Sequence, residues 1–252
     1  MRAALDNPFF ILLGSLIVFS ASAWTGTKLH RLLQIGESDK ESFSFVLGGS
    51  LTLLGLIVGF TFSMAVGRYD QRKNREEQEA NAIGTAYAQA NLLPATDAAR
   101  VRGLLRAYVD QRILFYTLSD AQQLRRIDAE TTRLQREMWT VVTTHASGQP
   151  TPLAALIVSG MSDVLSSQGY SQAAWWNRIP TEAWALLVGI AIFCNTLIGL
   201  RARGRHVTLL LILPIILSVT FFLIADIDNP RVGVIHVAPR ELAGVAESMR
   251  VP

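Results

Sequence analysis

Few residues in this chain have the types and spacing that covalent chemistry needs. The four histidines, His30, His145, His206 and His236, stand far apart, and none has a carboxylate or cysteine at metal-ligand spacing. Cys194 is the single cysteine, so no disulfide framework or zinc ribbon can form within one chain. There is no phosphate-cradling glycine loop, nucleophile elbow or dinucleotide fingerprint. Glu76, Glu77 and Glu79 fall within a helical turn of one another and offer a cation site. Their spacing from Arg72, Lys73 and Arg75 suits the simpler reading, charge that is solvated or paired along one helix. The sequence predicts a protein that is not an enzyme, with no catalytic residues, no metal, no cofactor and no nucleic-acid partner.

The spacing of apolar residues on the second such run is also compatible with ion passage, although taken alone it favours a plainer reading. Leu56, Phe60 and Met64 recur every fourth residue, so they share one helix face, as an apolar constriction repeated around an oligomer axis requires. The plainer reading places that face against lipid or another span. Arg68, Arg72 and Arg75 follow as candidate pore-mouth charges that would draw anions, and the three glutamates beyond them would oppose that field. Gly48, Gly49, Gly55, Gly59 and Gly67 would let neighbouring helices approach closely.

These residues need a membrane around them, and the hydropathy pattern supplies one. Half of the 252 residues are hydrophobic and 17% are charged, with the charges segregated from the apolar runs. Four runs, at about 9–24, 43–66, 183–200 and 207–225, lack Lys, Arg, Asp and Glu. At ~1.5 Å per residue they are long enough, or nearly so, to cross ~30 Å of hydrocarbon. The first follows Arg2 and ends near Ala21-Ser22-Ala23, like a signal peptide, but Asp6, Asn7 and Pro8 spoil the basic start that a signal needs. Four transmembrane helices are predicted in an all-α protein. The chain divides into a first hairpin (1–66), a soluble helical domain (67–180), a second hairpin (181–226) and a tail (227–252).

The second run passes without a helix breaker into Arg68-Tyr69-Asp70-Gln71-Arg72, so one helix is predicted from Phe43 to about Leu93. In the insert, three amphipathic helices follow. Asp97 is read as the cap of the first, the second starts near Ser119 and Asp120, and the third covers Pro152 to about Gln168. Each apolar stripe reads as packing surface. Trp175, Trp176 and Trp184 flank Arg178 at the return to the membrane, where rings settle among headgroups, so they are read as interface anchors in preference to an aromatic ligand cage. The basic residues near span ends favour a cytoplasmic insert, while the compact basic loop 201–206 pulls the other way.

Two segments carry a resemblance to a known family. Residues 59–72, with Gly59, Phe60, Arg68, Tyr69, Asp70 and Arg72, and then 79–87, with Asn81, resemble the bestrophin-like family of bacterial membrane proteins. The closing stretch 226–235, with Asp228, Pro230 and Gly233, is similar to the motif that ends the last span in that family. More distantly, the chain is similar to bestrophins, pentameric anion channels with four spans per subunit and a pore lined by the second. Trp is missing after Tyr69-Asp70, Arg231 follows Pro230 where bestrophins have Phe, and no acidic run suggests a calcium clasp.

The resemblance implies a homo-oligomer in the bacterial inner membrane, a pentamer if bestrophin-like. It implies a cytoplasmic insert and termini, the lipid bilayer and inorganic anions as partners, and conduction along the second span. The alternative is a non-conducting scaffold or sensor whose helical insert binds a protein partner.

Overall fold

The computed structural model describes residues 7–33, 39–201 and 207–250. The described elements are all helical. They are α1 (Pro8–Leu33), α2 (Asp39–Gln89), a 3-10 turn (Ala90–Leu92), α3 (Ala95–Thr117), α4 (Ala121–Gly148), α5 (Pro152–Trp176), α6 (Thr181–Arg201), α7 (Val207–Asp228) and α8 (Arg240–Ser248). Among the described residues, four helices are long and apolar enough to cross a membrane. The orientation signals at Arg2, Arg203, Arg205 and His206 lie outside the described residues. The chain forms two compact units, one from residues 1–68 and 178–236, the other from 69–177 and 237–252. Helix α2 supplies residues to both, because no Pro or turn composition interrupts its 51 residues.

In the first unit, α1 starts where the Asn7 side chain accepts the Phe9 N–H at 3.0 Å. Polar side chains in α1 satisfy themselves locally: the Ser22 hydroxyl donates to the Val18 carbonyl and Thr25 to Ala21, both at 2.7 Å. That is how hydroxyls are accommodated where water is absent. The core of this unit gathers Phe19, Leu54, Leu187, Ala191, Leu217 and Phe221. Phe221 meets Phe19 edge-on at 5.2 Å and Trp184 at 5.7 Å.

The tightest helix crossing lies between α1 and α6. A Cβ on Gly26 would overlap the Thr196 carbonyl and come within 2.9 Å of the Gly199 Cα; one on Gly199 would overlap the Ala23 carbonyl. Packing between apolar helices gains little from the hydrophobic effect, so close backbone contact must supply the attraction. The sequence reading placed close approach at Gly48, Gly49, Gly55, Gly59 and Gly67. Within the protomer an added Cβ at each of those five meets nothing within 4 Å.

The second unit is a helical bundle around Ile83, Leu105, Tyr108, Leu134, Met138 and Val164. Its helices are delimited by local chemistry. Asp120 accepts the Gln122 and Gln123 N–H groups at 3.1 and 2.8 Å to cap α4. Thr151 accepts Ala154 N–H at 3.1 Å, with Pro152 opening α5. Asp97 does not cap α3; the helix begins at Ala95 after Pro94, and Asp97 sits in its first turn, favourable to the helix dipole. Residues of the tail also join this bundle: Leu242, Ala246 and Met249 are buried on α8 and just after it.

Candidate functional site

On α2 the face carrying Leu56, Phe60 and Met64 is unpartnered within the protomer, with exposures of 54%, 62% and 43%. Leu54 and Ala65, from other faces of the same helix, are fully buried. Helix periodicity separates the two groups: residues four apart share a face, and Arg68 continues the same series one turn further on, half-buried. Gly59 lies beside Phe60 with open space around it.

The other two pore-mouth candidates have different duties. Arg72 is buried, at 1% exposure. Its guanidinium donates to the Ala174 carbonyl at 3.3 Å and the Asn177 carbonyl at 3.2 Å. It therefore completes the C-terminal end of α5, where carbonyls lack intrahelical donors and the dipole favours a cation. Arg75 donates to Gln78 at 2.7 Å and lies over the Tyr170 ring at 5.0 Å. Arg72 therefore does not project as a free basic ring would require, while Arg75 is half-buried.

The glutamates divide likewise. Glu77 is exposed, whereas Glu79 is fully buried and pairs with the buried Arg112 of α3. Glu79 accepts from Arg112 Nε and, at 3.3 Å, from Nη2; the Tyr116 hydroxyl adds a third bond at 3.4 Å. Arg112 also stacks on Phe115 at 4.4 Å. Burial first, and then the Glu79 charge, push the Tyr108 and Tyr116 phenols well above the ordinary tyrosine range. Glu76 is buried too and accepts the Leu242 N–H at 2.9 Å, so it caps the start of α8. Burial raises its carboxyl pKa, against the lowering effect of that hydrogen bond. For Arg72, Glu76 and Glu79 the reading as solvated, or paired along their own helix, is corrected, because their partners come from α5, α8 and α3; Lys73 and Glu77 are exposed, and Arg75 bonds Gln78 on its own helix.

Trp175 is not an interface anchor. It is 3% exposed in the second unit's core, with Phe115 and Tyr116 rings each at 5.2 Å. Helix α5 continues to Trp176, so Trp175 extends the buried series Met161, Val164 and Ser171, while Trp176, about 100° further around the helix, is exposed. Trp184 lies in the first unit against Phe221.

Of the remaining motif residues, those of the closing stretch hold the backbone. Tyr69 packs on the bundle core, Asp70 and Asn81 are exposed, and Pro230 is buried. Asp228 receives the Ile179 N–H on both carboxylate oxygens, at 3.2 and 3.1 Å. Asp226 accepts Val234 and Ile235 N–H groups at 2.8 Å each. Gly233 has φ of 145°, and a Cβ there would overlap the Asp226 carboxylate. Among the described residues no group of three or more His, Cys, Asp or Glu is placed to hold a metal ion.

The fold matches solved structures along almost its whole length. A variant of a bacterial bestrophin homolog from Klebsiella pneumoniae aligns at 17% identity and a TM-score of 0.67, over 96% of this chain and 97% of that one. A second structure of the Klebsiella pneumoniae homolog aligns at 18% identity and 0.64, over 96% and 95%. A structure described only as a membrane protein variant aligns at 17% and 0.67, over 96% and 97%. No curated protein matches the chain. With four apolar helices and relatives of this kind, the chain is a multi-pass membrane protein. A model of the bestrophin-like domain matches residues 13–242, and the chain belongs to the bestrophin-like family.

Proposed function

We propose that this protein is an ion channel in which several copies surround an axis lined by α2, with anions preferred. The observation that carries the reading is the α2 face of Leu56, Phe60 and Met64: large apolar side chains at one-turn spacing, left uncovered by the protomer's own helices. Around an axis such a face forms a dewetting neck; against lipid it would need no fixed register. Arg68, one turn further along the same face, is the basic residue best placed to bias the mouth toward anions. The similarity to bestrophin homologs supports the same reading and favours a pentamer, with residues 67–180 and both termini in the cytoplasm of a bacterial inner membrane.

A structure of the detergent-solubilised assembly tests this. A closed ring with Phe60 side chains pointing at its axis is the expected result. A monomer or dimer, or a ring with Phe60 turned outward to lipid, would replace the channel by a membrane scaffold.

A further inference from the structure

The first unit contains a cleft of about 520 Å³ among α1, the start of α6 and the end of α7. Its walls are apolar, from Phe10, Val18 and Phe19 on α1 and Trp184, Val188 and Phe221 opposite. Charge is confined to one end, at Arg178 and Asp228. Along α1 the lining runs from Phe10 to Phe19, roughly 13 Å at ~1.5 Å per residue, close to the depth of one leaflet of a ~30 Å slab. Phe10 and Val18 are 58% and 42% exposed, so the cleft opens sideways where the surrounding medium is hydrocarbon.

The two charges at the end are not equivalent. Asp228 is buried, and both its oxygens accept the Ile179 N–H. Arg178 lines the same end and is exposed, so a phosphate at the membrane surface can approach its guanidinium. A long apolar slot of leaflet depth with an exposed guanidinium at its membrane-surface end matches a molecule with an apolar chain and a phosphate. We propose that this cleft binds one acyl chain of a membrane phospholipid, with the phosphate held against Arg178. The site is separate from the α2 face and stands whether or not the protein conducts.

Trp184, in the cleft wall, provides the readout. Delipidated full-length protein in detergent is titrated with phosphatidylglycerol brominated on its acyl chains, and fluorescence quenching is compared with that of Trp184→Phe. The difference should be saturable. Gly14 lines the cleft, and an added Cβ there meets nothing within 4 Å, so Gly14→Leu fills the space without a backbone clash. It should weaken binding about ten-fold or more, since each methylene excluded forfeits roughly four-fold. Ser15→Leu is a second filling variant should the first not fold. Arg178→Gln should weaken the phospholipid but leave a brominated fatty alcohol unchanged, and inorganic phosphate should not compete with either. Non-saturable quenching at Trp184, or equal affinity in a folded filling variant, would overturn the proposal. So would a Val18→Cys thiol that stays unlabelled in lipid-free protein, because a second copy of the chain would then cover the cleft.

Discussion

Replacing Glu79 by Gln should destabilise the helical unit by about 3–5 kcal/mol, the usual cost of leaving one member of a buried ion pair without its partner. The structure explains why the high range applies. The side chains of Glu79 and Arg112 are 0% and 2% exposed, so water cannot take over the guanidinium. Glutamine keeps one acceptor where the carboxylate offered two, and turns an amide N–H toward a donor. The Phe115 ring, 4.4 Å from the guanidinium, offsets only ~0.5–2 kcal/mol. At about 2–4 °C per kcal/mol for a protein of this size, the thermal midpoint in detergent should fall by roughly 6–20 °C. Glu77→Gln, two residues away on the other side of the helix and exposed, should move it by no more than about 0.5 kcal/mol equivalent. Glu79→Leu combined with Arg112→Met should recover much of the loss, since neither charge then remains buried. Equal midpoints for Glu79→Gln and Glu77→Gln would refute the assignment of this pair as a buried support.

Gly199→Val should prevent the α1–α6 crossing, because its Cβ would overlap the Ala23 carbonyl; loss of the monodisperse detergent peak would show it. Gly233→Ala adds a Cβ at φ of 145° and against the Asp226 carboxylate, which should cost at least ~1–3 kcal/mol in thermal unfolding. Glu76 titrates above its unfolded value of 4.5, so its contribution to stability is full below that pH and is lost as pH rises through the folded pKa. The stability difference between wild type and Glu76→Gln, followed by thermal unfolding upward from pH 4.5, should therefore shift against wild type as pH rises, and a pH-independent difference would contradict this.

What the sequence disclosed was set by the medium each segment occupies. In hydrocarbon, apolar runs and uncharged composition are nearly sufficient, and the uninterrupted α2 follows from the absence of any breaker between Phe43 and Leu93. The end of α1 was less visible: it continues past Trp24 to Leu33, with Lys28 over the Trp24 ring at 3.7 Å, and a run defined by the absence of charge stops short of such a residue. The buried faces of Arg72, Glu76 and Glu79 were hidden because hydropathy scores a paired charge as a solvated one. A signal did exist, since positions 72, 76, 79 and 83 share one face and the last is the fully buried Ile83. Residues 242, 246 and 249 also carry a helical stripe, too short to stand out from a tail. The Gly26 and Gly199 contact joins residues distant in sequence, and spacing within one helix cannot reveal it.

The central claim is that ions pass an apolar neck formed by α2, and chloride flux from reconstituted liposomes tests it directly. Phe60→Ala shortens the most exposed of the three neck side chains, at 62% exposure, and should raise chloride flux above wild type by lowering the dewetting barrier. Chloride should be preferred over sodium, and Arg68→Glu should weaken that preference while leaving the oligomer intact. Folded oligomers of wild type and Phe60→Ala that both pass no ions would contradict the account.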